Sequence, residues 1–243
     1  MSSTRTSRQE NDMNLTEKRK DNRPFGAGVR VGILLVLLLL ICWRGAVPAV
    51  ANSQIRKNTT WIMVGDSYTC RPSGQKEKSW PYQLREKLGL KGSEVCFVRK
   101  PGYGFANKGK QFYTELKKLK SSKTVRRILI VGGVRNDKFC SKKKIHTMFH
   151  KTAVLLRKRY PNAEIYYAAP NWDKLSAEKR KLLRTRKVWY KKFCKEEGWT
   201  YLASVQKVLY NVGGWYEADG HHPNEKGANI ISNALYRALK DKA

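Results

Sequence analysis

From Thr60 onward, short apolar runs alternate with longer amphipathic stretches, and this alternation limits the possible fold more than any other property of the chain. The apolar runs are residues 60–65, 94–100, 125–131, 164–169 and 200–202, and they read as strands. Between them the spacing predicts helices over 80–88, 107–119, 143–159 and 176–197, the last closed by Gly198 as its C-cap. A final helix is expected to begin at Pro223 and to carry Ala228, Ile231, Ala234, Leu235 and Leu239. Proline suits a first helical turn, where its missing N–H goes unnoticed. Five strands alternating with helices predict an α/β domain with a five-stranded parallel sheet, covered on both faces. Ligands of such sheets bind beyond the C-terminal ends of the strands.

Three of those ends carry chemistry. The first strand runs into Gly65-Asp66-Ser67-Tyr68-Thr69, the second into Lys100-Pro101-Gly102-Tyr103-Gly104-Phe105, and the third into Gly132-Gly133-Val134-Arg135-Asn136-Asp137. A fourth polar cluster, Asp219-Gly220-His221-His222-Pro223, precedes the last helix. Ser67 is a candidate nucleophile, inert until a base takes its proton. His222 is the candidate base. Asp219, three residues earlier, can reach His222 Nδ1 in one turn, fix the tautomer and stabilise the imidazolium. Acyl transfer also needs oxyanion donors. The N–H groups of Ser67 and Gly102 and the side-chain amide of Asn136 are the candidates. Each residue has a plainer explanation: an N-cap for Ser67, a capped turn for Asp219 and His222, a simple turn for Gly102 and Gly104, an Asx-turn for Asn136. What joins them is their order along the strand ends. The second glycine of a G-x-S-x-G elbow is missing after Ser67, which argues against an ordinary α/β-hydrolase.

The chain of 243 residues carries 50 Lys+Arg against 19 Asp+Glu, a net +31. Eight basic and four acidic residues fall in 1–51, so a net +27 remains on 52–243. Such a field attracts polyanions; the alternative is a solvated basic surface with no single target. Residues 1–30 are polar and aperiodic, and are expected to be a disordered cytoplasmic segment. Residues 31–43 form a 13-residue apolar run, shorter than the ~20 of a spanning helix and close to a signal-peptide core. With Ala49-Val50-Ala51 after it, 31–51 reads as a signal peptide or short membrane anchor. Either puts the domain, residues 52–243, outside the cytoplasm. Export disfavours nucleic acid as partner and favours an anionic envelope polymer or membrane surface. Of the cysteines beyond residue 51, Cys96 and Cys194 look like core thiols. Cys70 and Cys140 follow the Ser67 and Asn136 loops, so either they form a bridge or all four thiols are free.

The four blocks in this order resemble the GDSL/SGNH hydrolase family. G-D-S is Gly65-Asp66-Ser67. The oxyanion glycine resembles Gly102, with Gly104 as second choice. The third block resembles Asn136-Asp137, with Val134 where the family has glycine. D-x-x-H is Asp219-Gly220-His221-His222. The resemblance spans residues 58–241. It implies a flavodoxin-like three-layer α/β/α sandwich and a serine hydrolase without metal or cofactor. It further implies a substrate that is an acylated carbohydrate or a lipid ester. Joined to export and charge, it leads to removal of O-acetyl or other short acyl groups from an envelope carbohydrate. The alternatives are a lipid esterase or thioesterase, and a non-catalytic polyanion- or glycan-binding module on the same fold. Gly104, Arg135, Trp215 and Tyr216 are expected to line the substrate site, although Trp215 and Tyr216 also suit loop packing.

Two other signals are weaker. Gly102-Tyr103-Gly104-Phe105-Ala106-Asn107 follows a strand like a dinucleotide fingerprint, but has Asn107 for the third glycine and no acid at the end of a second strand. His146 and His150 have a zinc-compatible spacing, yet Thr147 stands where a metalloprotease needs glutamate.

Overall fold

Strand β1 (Trp61–Gly65) lies in the described sheet between β2 (Val95–Arg99) at its edge and β3 (Arg127–Val131) at its centre. The order continues to β4 (Glu164–Ala168) and β5 (Thr200–Tyr201), giving β2-β1-β3-β4-β5, all parallel. The computed structural model describes residues 54–72, 74–169, 177–205 and 214–242, with backbone alone at 177–180. The expectations for residues 1–51 lie outside the described residues. No helix among the described residues is long and apolar enough to cross a membrane.

Registers explain why the strand ends form one rim. Gly65 pairs with Arg99 on one side and Val131 on the other, and Val131 pairs with Ala168. The loops after β1, β2, β3 and β4 therefore leave at the same level. All five β1 residues and four of the five in β3 are buried, as expected for strands covered on both faces.

Alternation along β1 splits the core. Ile62 and Val64 face one apolar layer, built with helices α2 (Phe112–Lys118), α3 (Lys142–Arg159) and α4 (Ala177–Glu196). Trp61 and Met63 face the other, under α1 (Trp80–Lys87) and α5 (Glu225–Leu239). The first layer is aromatic: Phe149 and Trp199 centroids are 4.4 Å apart, and Phe105 and Phe149 4.6 Å. Burying each such ring stabilises the fold by about 2–3 kcal/mol. The result is the expected α/β/α sandwich, and its five strands fall where the apolar runs lie.

Local departures have local causes. The helix expected over 107–119 covers only Phe112–Lys118. Residues 107–111 form a turn instead: Gly109 has φ +73°, Lys110 N–H donates to Asn107 O, and Gln111 bridges Gly104. Pro223 precedes the last helix rather than opening it. It bridges Tyr216, and Asn224 is the N-cap, accepting from Gly227 N–H at 3.0 Å. Gly198 does follow α4, with φ +71°. Its first residue as read from sequence, Ser176, lies outside the described residues.

The four described cysteines are free thiols, so Cys70 and Cys140 are not bridged; Cys140 Sγ donates to Ala106 O. His146 Nε2 contacts Glu196 at 2.9 Å and His150 Nδ1 contacts Glu197 at 2.6 Å. Each histidine of the i,i+4 pair thus joins its own acid at the end of α4.

Candidate active site

The site begins where β1 stops. A Cβ on Gly65 would lie 2.0 Å from Thr69 Cγ2 and 2.8 Å from Val131 O, so the strand can end this tightly only on glycine. Asp66 follows in extended conformation, and its Oδ1 accepts the Tyr68 N–H at 3.0 Å. That bond caps a short 3-10 turn, Ser67–Thr69, which holds Ser67 half-buried on the rim. The N-cap of this turn is thus Asp66, not Ser67.

Asp66 also ties the first loop to the third. Its Oδ2 accepts from Gly133 N–H at 2.8 Å and from Asn136 Nδ2 at 3.1 Å. Burial, opposed by the Gly133 and Tyr68 N–H groups and reinforced by the charge of Asp137, pushes its carboxyl up to about 6. Gly132 allows this approach: φ is +106°, and a Cβ there would meet Asp66 Oδ2 at 2.4 Å. Val134, where the resembling family has glycine, is buried in the aromatic layer. The two glycines upstream supply the backbone freedom.

Asn136 is the hub of three loops. Besides Asp66, its Nδ2 donates to Tyr103 O at 2.7 Å. Asp137, next in sequence and buried, accepts from Phe105 N–H at 2.9 Å, Ala106 N–H at 2.8 Å and the Tyr190 hydroxyl. It thereby fastens the loop after β2. Gly102 has φ +77°, and its carbonyl accepts from Asn107 Nδ2. Its N–H meets no acceptor among the described residues. The Gly104 N–H is spent on Lys110 O at 3.0 Å, and a Cβ there would lie 2.4 Å from Asp137 Oδ1. Of the two glycines, Gly102 keeps a donor to offer, while Gly104 makes room for Asp137.

The C-terminal cluster folds back onto Ser67. His222 Nε2 lies 2.8 Å from Ser67 Oγ, and His222 Nδ1 lies 2.6 Å from Asp219 Oδ2. Asp219 Oδ1 accepts the N–H groups of His221 and His222, each at 2.9 Å. Burial works against the Asp219 charge. The bonds from the His222 ring and the two N–H groups outweigh it and hold the carboxyl well below the usual range. A charged Asp219 requires the proton on His222 Nδ1, which leaves Nε2 to accept from Ser67. The loop is fixed by Gly220, with φ +64°, by Glu217 N–H to His222 O, and by the Arg71–Glu217 ion pair at 2.5 Å. Trp215 and Tyr216 are half-buried and pack on the layer under α1 and α5.

Sequence reasoning did not single out Asp66 and Asp137 as braces, nor Tyr68 and His221. The Tyr68 hydroxyl lies 2.6 Å from His221 Nδ1, which Arg135 also contacts. Burial, then the charges of Arg135 and His222, push His221 down to about 4. Burial and the Asp66 charge push the Tyr68 phenol well above its ordinary value. Among the described residues, Glu217, Asp219 and His222 have ligand atoms within 4.8 Å of one another, but each is already paired.

No family model and no curated protein matches the sequence. Solved structures do match. A lipolytic protein of the G-D-S-L family from Desulfitobacterium hafniense DCB-2 is 16% identical, with a TM-score of 0.59, covering 75% of this chain and 100% of that one. TesA is 17% identical with a TM-score of 0.60, covering 76% and 100%. A family two carbohydrate esterase from Clostridium thermocellum, in complex with cellohexaose, is 16% identical with a TM-score of 0.56, covering 76% of this chain and 64% of its own. The described domain therefore has the α/β/α fold of the GDSL lipolytic proteins and esterases.

Proposed function

We propose that this chain is a serine esterase of the GDSL/SGNH type. The observation that carries the reading is the unbroken row from Ser67 Oγ to His222 Nε2 at 2.8 Å and from His222 Nδ1 to Asp219 Oδ2 at 2.6 Å. Ser67 attacks the ester carbonyl while His222 takes its proton. Asp219 holds the ring and stabilises the imidazolium. The N–H groups of Ser67 and Gly102 receive the oxyanion. Both N–H bonds of the Asn136 amide are engaged, with Asp66 and Tyr103 O, so to act as third donor it would turn the longer one, to Asp66, towards the oxyanion. His222 returns the proton to the leaving alcohol, and water activated by the same histidine cleaves the acyl-enzyme.

The substrate we infer is a short acyl ester, such as an O-acetyl group, on a carbohydrate of the cell envelope. The net +27 on residues 52–243 and the leader-like run at 31–51 support an exported enzyme at an anionic surface. The cellohexaose complex of the carbohydrate esterase shows that an enzyme of this fold accepts a sugar chain. Arg135, Trp215 and Tyr216 would form the substrate wall.

A fluorophosphonate probe should label Ser67 in the wild type and neither Ser67→Ala nor His222→Ala. Labelling that persists in Ser67→Ala would overturn the reading. Nitrophenyl esters of increasing chain length should be cleaved best at acetate; a clear preference for long chains would replace the carbohydrate esterase by a lipid esterase.

A further inference from the structure

Three groups beside Ser67 have no part in the reaction above: Tyr68, His221 and Arg135. Arg135 precedes Asn136 on the loop after β3, and its guanidinium touches His221 Nδ1. The His221 ring lies 4.3 Å from that of His222, which holds Ser67. The guanidinium therefore stands on the rim next to the nucleophile.

Its charge is not neutralised. Glu217 is held by Arg71 at 2.5 Å, Asp219 by His222 at 2.6 Å, and Asp66 is buried among its own three donors. Arg135 has no carboxylate partner among the described residues. A guanidinium offers five N–H donors, and the described contacts of Arg135 are with His221 Nδ1 and the Tyr68 hydroxyl. None of the others is sealed from solvent without a partner, unlike those of Arg85, Arg127 and Arg186.

Its position, by contrast, is fixed. His221 is pushed down to about 4, so near neutral pH it is an uncharged acceptor. Its Nδ1 shares a single lone pair between Arg135 and the buried Tyr68 hydroxyl. A neutral acceptor aims the cation without cancelling it. Held charge with free donors is what recognition of a planar or tetrahedral oxyanion needs.

We propose that Arg135, aimed by His221 and Tyr68, binds a carboxylate or phosphate that the substrate carries a few bonds from the scissile ester. This rests on the serine-esterase reading of Ser67. It narrows the substrate to acylated acidic sugars or their phosphorylated counterparts, and it gives the surrounding basic field a specific target.

The test compares kcat/KM of the full chain on three acetates: a methyl glucoside, a methyl glucuronide, and a phosphorylated methyl glucoside. A charge-assisted bond predicts a preference for an anionic acetate of about ten- to a hundredfold. Whichever anionic ester is preferred identifies carboxylate or phosphate. Arg135→Gln should lose the preference, and Arg135→Lys should keep part of it, having charge without the fork. As a second readout, glucuronate or inorganic phosphate should slow fluorophosphonate labelling of Ser67 in the wild type more than sodium chloride of equal ionic strength, and should not in Arg135→Gln. Equal selectivity in wild type and Arg135→Gln, or labelling that neither anion slows, overturns the proposal alone. Absence of both turnover and labelling overturns the esterase reading, and this proposal with it.

Discussion

Replacing Asp219 by asparagine tests the hydrogen-bond logic of the site at one atom. Asp219 Oδ1 accepts two backbone N–H groups, at 2.9 Å each, and Oδ2 faces His222 Nδ1 at 2.6 Å. In Asp219→Asn the amide oxygen must stay with the two N–H donors, so the amide nitrogen faces the ring. His222 Nδ1 then has to become an acceptor, its proton moves to Nε2, and the ring donates towards Ser67 instead of accepting. A base locked in the wrong tautomer costs roughly a thousand- to ten-thousandfold in kcat/KM, about 4–5.5 kcal/mol of transition-state stabilisation. Asp219→Ala imposes no tautomer and should lose less. Stability should change little, since the Asp219 side chain is 42% exposed and such pairs contribute about 0–1 kcal/mol. Initial rates on nitrophenyl acetate, with urea midpoints beside them, provide the assay. An Asp219→Asn enzyme within tenfold of wild type would refute the argument.

Three further outcomes are expected. The folded-state value of about 6 for buried Asp66 exceeds its ordinary 3.8, so the folded protein binds the extra proton. Wild-type stability should then fall by about 3 kcal/mol as pH rises from about 4 through 6. Asp66→Asn cannot titrate there, so the stability gap between the two should narrow over that range in urea titrations; a constant gap would contradict the burial argument. Gly104→Ala should destabilise the protein by about 1–3 kcal/mol and perturb labelling of Ser67, because its Cβ would sit 2.4 Å from Asp137 Oδ1. Chelation by EDTA should leave ester hydrolysis unchanged, since Asp219 and His222 are paired with each other; a loss reversed by added metal would overturn that expectation.

The sheet was legible because strands covered on both faces must be apolar throughout, and runs such as Ile128-Leu129-Ile130-Val131 fit no exposed element. Ser67, Asn136 and the Asp219–His222 pair stood out only by their order along the strand ends, since each type alone is common in a cap or turn. Asp66 and Asp137 were visible only as letters of a motif. Three of their six partners are backbone N–H groups 31 to 67 residues away, and a backbone N–H leaves no mark on the sequence. The Tyr68–His221 contact spans 153 residues and obeys no period. The turn at 107–111 does show in the sequence as a polar run, Asn107-Lys108-Gly109-Lys110-Gln111, but its cause, the pairing of Gly104 with Gln111, does not.

The row that joins Ser67 to His222 spans 155 residues of chain. Its base sits just before α5, the helix that completes the layer over Trp61 and Met63. Ser67 can be in place on β1 long before then, yet without His222 it remains an ordinary alcohol. On the proposed mechanism, Ser67 should therefore stay inert during synthesis until α5 docks. The onset of Ser67 labelling during refolding would then time the closing of the C-terminal layer.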